Sequence, residues 1–261
     1  MDESLRLQYL EAMGIAVWVA RQPPVAAMRA LEDLSGPVLA EPAIACSGVT
    51  SENIAIPAPE RSAVSHSDQP EPHADDRAWN ELQLEVSRCR ACGLCETRTQ
   101  TVFGVGSHRA GWMLIGEAPG QNEDLQGEPF VGKAGQLLNE MLRAIGLERR
   151  EVFIANVLKC RPPANRDPQA EEVAACREFL RRQIALLQPR IILAVGRIAA
   201  QNLLETQQPL AKLRGIQHRL ENIPLVVVHH PAYLLRALTE KAKAWDDLQF
   251  ALSVYQSLPE Q

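Results

Sequence analysis

Three of the chain's six cysteines fall within CRACGLC, residues 89–95, and two more follow at Cys160 and Cys176. Cys89 and Cys92 make a C-x2-C pair, whereas Cys160 and Cys176 are sixteen residues apart. Four thiolates, two local and two distant, can bind Zn2+ or an iron–sulfur cluster. A zinc ribbon presents two tight pairs, each on a turn, so the spread second pair favours the bulkier cluster. Cys95 could replace Cys89 through Cys92-Gly-Leu-Cys95. Cys160 and Cys176 could equally be small buried hydrophobes, a common state for a free cysteine.

The redox setting bears on this choice. The chain shows no basic, apolar, small-residue leader and no 18-residue apolar run, which argues for a cytoplasmic protein with reduced thiols, away from any membrane. The other residues fit for chemistry cluster in three stretches: GEAPG at 116–120, NVLKCRPPANR at 156–166 and HHPAYLLR at 229–236.

These stretches need a scaffold. Four short apolar runs, WMLIG at 112, VFIANV at 152, RIILAV at 190 and PLVVV at 224, are separated by helical patterns. Strands alternating with helices predict a three-layer α/β/α sandwich around a central four-stranded, mostly parallel sheet. In the helix expected after Pro168, Val173, Cys176, Leu180, Ile184 and Leu187 share one stripe. Sites in such folds lie beyond the carboxyl ends of the strands, where all three stretches fall.

Composition divides the chain. Residues 1–80 carry 5 Lys or Arg and 12 Asp or Glu, leaving 22 and 20 for the remainder. The acidity therefore belongs to the leading part, and the net charge of −5 does not exclude a nucleic-acid surface on the rest. We read residues 1–22 as a short amphipathic segment, 23–79 as a Pro/Ser/Ala/acid-rich linker and 80–257 as the folded domain.

The motifs CRACGLCETRTQTVFGVG, GEAPGQNEDLQGEPFVGKAGQLLNEML, FIANVLKCRPPANRDP and HPAYLLR, in this order and spacing, resemble the family 4 uracil-DNA glycosylases. That resemblance covers roughly residues 80–257 and implies a 4Fe–4S cluster held by Cys89, Cys92, Cys160 and Cys176, with Cys95 a bystander. It implies hydrolysis of the N-glycosidic bond of deoxyuridine in DNA, releasing uracil and leaving an abasic site. No lysine is positioned by a matched motif to form a Schiff base, so the enzyme is expected to be monofunctional. It is also expected to be a monomer, acting in the cytoplasm at the nucleoid.

The resemblance also distributes roles. Phe130 stacks on the extruded base, and Asn156 reads uracil by accepting from N3–H and donating to O4. His230 donates to O2. Glu117 and Asn165 share the water and sugar side beside Gly116, and Glu123 excludes the thymine methyl. Leu234 and Leu235 form an apolar wedge with Arg236 beside it, while Lys159, Arg161 and Arg166 face phosphates. His229 is read as structural, on the opposite side of the backbone from His230.

LRLQYLEAMGIAVWVAR, near the start of the chain, is similar to the beginning of the psi subunit of bacterial DNA polymerase III, implying the chi subunit as a partner. Competing classes are a zinc-binding nucleic-acid module without catalysis, a glycosylase for another deaminated base, and an iron–sulfur redox or tRNA-modifying enzyme. The last would show a nucleotide or SAM fingerprint, and no G-x-G-x-x-G, Walker A loop or C-x3-C-x2-C is present.

Overall fold

A computed structural model describes residues 74–259. The amphipathic segment at 1–22, its chi-subunit reading and most of the linker lie outside the described residues.

The first described helix, α1 (Ala74–Arg88), begins inside the span read as linker, so the domain starts earlier than residue 80. The reason is Trp79, which is 1% exposed. Its indole stacks on His108 at 4.3 Å and meets Phe153 at 5.0 Å, and burial of so large a ring holds the helix to the sheet.

The sheet has six strands: β1 (Val105–Gly106), β2 (Trp112–Gly116), β3 (Phe153–Asn156), β4 (Ile191–Val195), β5 (Gln217–Leu220) and β6 (Ile223–Val228). Their order is β1-β3-β2-β4-β6-β5. The four expected strands form the parallel centre, β3-β2-β4-β6. Two antiparallel edge strands, β1 and β5, were not anticipated.

Alternation along each central strand sends side chains to two cores. Met113, Ile115, Phe153, Ala155, Ile192, Ala194, Leu225 and Val227 face one layer, which holds α1 and α4 (Ala170–Leu187). Trp112, Leu114, Ile154, Ile191, Leu193, Val195, Val226 and Val228 face the other, built from α3 (Lys133–Ala144) and α8 (Lys241–Gln256). The stripe predicted on α4 is buried as a set. This is the expected three-layer arrangement.

Helix α4 starts at a capping box, in which Gln169 and Glu172 bond each other's backbone. It is tied to α1 by Arg182, whose guanidinium grips both carboxylate oxygens of Glu85. No helix among the described residues is long and apolar enough to cross a membrane.

Candidate active site

The parallel strands end along one edge of the sheet, with β2 delivering Gly116 and Glu117, β3 Asn156, β4 Gly196 and β6 the pair His229 and His230. Loops and short helices rising from these ends enclose a cleft of about 920 Å³. That volume suits a ligand the size of a nucleotide rather than a single ion.

At the floor, two side chains close on Gly116, and His230 packs on Gly196 beside them. A Cβ on Gly116 would strike Asn156 Oδ1 and come within 2.8 Å of the Phe130 ring, so only glycine admits both side chains. The Phe130 and His230 rings lie 5.6 Å apart. Asn156 is 2% exposed, yet its side-chain amide makes no hydrogen bond among the described residues and lines the cleft. The amide atoms open onto the cleft rather than being sealed in the core, so they are free to pair with a ligand there.

His230 is the N-cap of α7 (Pro231–Leu234), and its Nδ1 accepts the backbone N–H of Ala232 at 3.1 Å. The proton of the neutral ring therefore sits on Nε2. Burial, with Arg236 adding to it, pushes the His230 pKa down to about 4. The imidazole is a neutral donor at physiological pH.

His229 also lines the cleft and is buried against Asp247. Its Nδ1 is 3.2 Å from Asp247 Oδ2, which also accepts from Arg214 Nε at 2.7 Å. Its ring stacks on Tyr233 at 5.8 Å. This buried network seats the segment that carries His230.

Glu117 follows β2 directly. Burial, and secondarily the charge of Asp167, push its pKa up to about 7 against the opposing pull of Arg197. Arg197 and Asp167 are themselves paired across the cleft at 3.2 Å. Asn165 also lines the cleft but is exposed on its rim, and its Oδ1 is occupied by Arg161 Nε at 2.8 Å.

Glu123, in α2 (Gln121–Gln126), lines the cleft while its Oε1 accepts from Val131 and Gly132 N–H at 3.0 and 3.3 Å. Its neighbour Asp124 is buried and accepts Thr99 N–H at 2.9 Å, tying α2 to the segment after the first cysteines.

Two expected DNA contacts do not stand. Lys159 is 1% exposed, and its Nζ donates to Asn156 O and Gln183 Oε1, both at 2.7 Å. It supports the Asn156 strand end from beneath and has no path to a phosphate. Leu234 is 1% exposed in the core beneath α7; the exposed apolar side chains of that segment are Tyr233 and Leu235, with Arg236 exposed beside them. Arg166 remains at the cleft but is held bidentate by Glu172 at 2.5 and 2.9 Å, which offsets its charge.

The cysteines come from three segments. Cys160 and Cys176 are buried, while Cys89, Cys92 and Cys95 are partly exposed. Burial raises the Cys160 thiol to about 11, opposed by Arg98 and reinforced by Cys176 and Cys92. Burial likewise raises Cys176, with Cys92 and Cys89 acting on it from nearby. The thiols of Cys89, Cys92, Cys160 and Cys176 thus share one neighbourhood. Among the described residues no group of three or more His, Cys, Asp or Glu side chains is arranged to hold a metal ion.

Arg98 was not anticipated. Its guanidinium donates to Cys160 Sγ at 2.9 Å, to Cys89 O at 2.8 Å and to Ser87 O at 3.3 Å. A cation three residues beyond the last clustered cysteine was visible in ETRTQ; that it reaches back across the cysteine pair was not.

Comparison with known proteins agrees with this geometry. The family model described as the uracil DNA glycosylase superfamily matches residues 103–249. The chain is similar to the type-4 uracil-DNA glycosylase of Archaeoglobus fulgidus, 44% identical over 60% of this chain and 82% of that protein. It is also similar to those of Pyrobaculum aerophilum, 43% identical over 62% and 87%, and Thermotoga maritima, 43% identical over 58% and 80%. With a family match across more than half its length and relatives covered to between 80% and 87%, the chain belongs to the uracil DNA glycosylase superfamily, among its type-4 members.

Proposed function

We propose that the protein hydrolyses the N-glycosidic bond between uracil and deoxyribose in DNA, releasing uracil and leaving an abasic site, the first step of base excision repair. The observation that carries this reading is the meeting of the Phe130 ring and the unbonded Asn156 amide at Gly116, with the His230 ring, protonated on Nε2, beside Phe130 and packed on Gly196. A flat hydrophobic face, one amide and one ring donor match the face and edge of a pyrimidine.

A base in the duplex cannot reach this floor, so the nucleotide must leave the stack. Leu235 and Tyr233, exposed beside Arg236, are suited to fill the gap it leaves. Once extruded, uracil lies against Phe130, with Asn156 Oδ1 accepting from N3–H and Nδ2 donating to O4. Cytosine presents the opposite pattern and leaves a buried group unpaired, at about 1–3 kcal/mol.

As the C1′–N1 bond lengthens, the electron pair moves onto the base, and His230 Nε2–H donates to O2 where the charge accumulates. The sugar becomes cationic. Glu117, in its ionised form, stabilises that cation and accepts a proton from the water that adds to C1′. The products are uracil, which leaves as its anion, and an abasic sugar. Lys159, the lysine beside the Asn156 strand end, is buried and donates to Asn156 O and Gln183 Oε1, so no lysine is positioned to form a Schiff base and strand cleavage is not expected.

The thiols of Cys89, Cys92, Cys160 and Cys176, which share one neighbourhood without closing around a single ion, would hold the wider 4Fe–4S cluster. They form an all-sulfur donor set, and Arg98, donating to Cys160 Sγ, offsets part of the negative charge that four thiolates bring. Such a cluster would supply a covalent tie between the start of the domain, the loop after β3 and helix α4. Glycoside hydrolysis transfers no electrons and needs none from it.

The test is a labelled oligonucleotide carrying a single uracil, incubated with anaerobically prepared protein and then cleaved with alkali, for wild type and Asn156→Ala. Cleavage at uracil that Asn156→Ala abolishes is the expected result. Cleavage undiminished in Asn156→Ala removes the amide from recognition. No cleavage of single- or double-stranded substrate by the wild type overturns the activity, and release from hypoxanthine- or xanthine-containing strands would then redirect it to another deaminated base.

A further inference from the structure

Phe130 holds a backbone conformation that its own side chain disfavours. Its φ is +54°, the left-handed region that bulky residues avoid unless their surroundings impose it. Glu123 holds the backbone that follows, at Val131 and Gly132. Gly135, in the first turn of α3, lets the helix press on the Phe130 carbonyl, where a Cβ would overlap that group. The remaining restraint comes from Arg149, nineteen residues away in sequence and in the turn that leads into β3. Its guanidinium donates to Pro129 O at 2.6 Å and Phe130 O at 3.4 Å, and to Asn139 Oδ1 of α3 at 3.3 Å.

We propose that Arg149 is a positioning residue for base recognition, clamping the carbonyls of Pro129 and Phe130 so that the Phe130 ring stays seated against Gly116 and Asn156. The inference rests on the reading of Phe130 as the surface on which uracil stacks. Arg149 touches no substrate. Its planar fork spans two successive carbonyls and a side-chain amide together, which a lysine's single ammonium would not reproduce. With the clamp removed, the strained residue relaxes toward negative φ and its ring leaves the pocket floor. The loss therefore falls on the step after DNA has bound, and it vanishes when there is no ring left to position.

The experiment is a double-mutant cycle of Arg149→Ala and Phe130→Ala under single-turnover conditions on the uracil oligonucleotide, with binding to abasic-site DNA measured in parallel. Phe130→Ala and Arg149→Ala are each expected to slow cleavage about tenfold, the size of one lost base–aromatic stack, with abasic-DNA affinity unchanged. The double variant should be no slower than Phe130→Ala alone, since residues acting as one unit are not additive. Arg149→Lys should recover part of the rate.

Multiplicative losses in the double variant would show a general structural role and overturn the inference, as would wild-type rates in Arg149→Ala. If Phe130→Ala cleaves as fast as wild type, the stacking role of Phe130 fails and the inference fails with it. Should Arg149→Ala not fold, Arg149→Lys takes its place in the cycle, where a slower rate that persists in full beside Phe130→Ala is the overturning result.

Discussion

The backbone N–H of Ala232 donates to Nδ1 of His230 at 3.1 Å, and that one bond decides which ring nitrogen is available to a substrate. Because Pro231 opens α7 without an N–H of its own, the first amide able to meet the ring is that of Ala232. The ring nitrogen left free to donate is set by a helix cap.

His230→Ala is expected to lower single-turnover cleavage by about a hundredfold or more, the range seen when one donor to a developing oxyanion is removed. Affinity for abasic-site DNA should change little. Gel-shift and rate measurements on the same preparation check this, and a variant that binds weakly yet cleaves normally once saturated would remove His230 from the chemistry.

Activity should rise with pH through about 7, because Glu117, held near that value chiefly by burial, must be ionised to accept a proton. His230, with a pKa of about 4, stays neutral throughout. A pH–rate profile of wild type should show the acid limb, and His230→Gln, though slower, should keep its midpoint. The same shift acts on stability. The folded pKa of Glu117 lies above its unfolded value of 4.5, so its protonated form favours the fold below that pH and the contribution is lost as pH rises through about 7. Glu117→Gln should therefore gain in melting temperature relative to wild type between acidic and mildly alkaline pH.

Adjacent leucines should separate cleanly. Leu234→Ala is expected to cost about 2–5 kcal/mol of stability, as for other large-to-small core changes. Leu235→Ala should leave the melt within about 0.5 kcal/mol while slowing uracil removal from double-stranded DNA more than from single-stranded DNA. Denaturant melts and paired cleavage assays decide, and equal slowing on both substrates would take Leu235 out of the wedge.

Arg98→Ala should weaken the cysteine site without touching the cleft. In anaerobically prepared protein, the absorbance near 400 nm expected of a cluster should be lost several-fold faster under an iron chelator than in wild type, with Arg98→Lys intermediate. Equal rates of bleaching would show that the bond to Cys160 Sγ does not protect the site.

The central sheet was legible because each buried strand reads as a continuous apolar run, and the helical stripe on α4 because its period is unbroken. The edge strands were not. Val105–Gly106 is too short to carry a pattern, and Gln217–Leu220 is polar enough to read as loop. Lys159 was misjudged for an electrostatic reason: a lysine two residues from an arginine-rich loop is ordinarily solvated, and its burial is made tolerable by the Asn156 carbonyl together with Gln183 on a distant helix. Arg149 carried no local signal, since its partners are backbone carbonyls that any sequence would supply. Long motifs located the cleft and its central trio, whereas the supports beneath them depend on three-dimensional proximity alone.

The two edge strands have a consequence for how the molecule meets others. A parallel sheet that stopped at β3 and β6 would leave a full row of unpaired backbone N–H and C=O groups open to pairing, the usual route by which chains add strand to strand. Instead, one border ends in the two-residue β1 and the other in β5, whose Gln217 and Arg219 are exposed. Neither margin offers a length of ladder for a neighbour to continue. Among the described residues the sheet is therefore bordered by short or charged strands on both sides, which disfavours pairing between copies edge to edge.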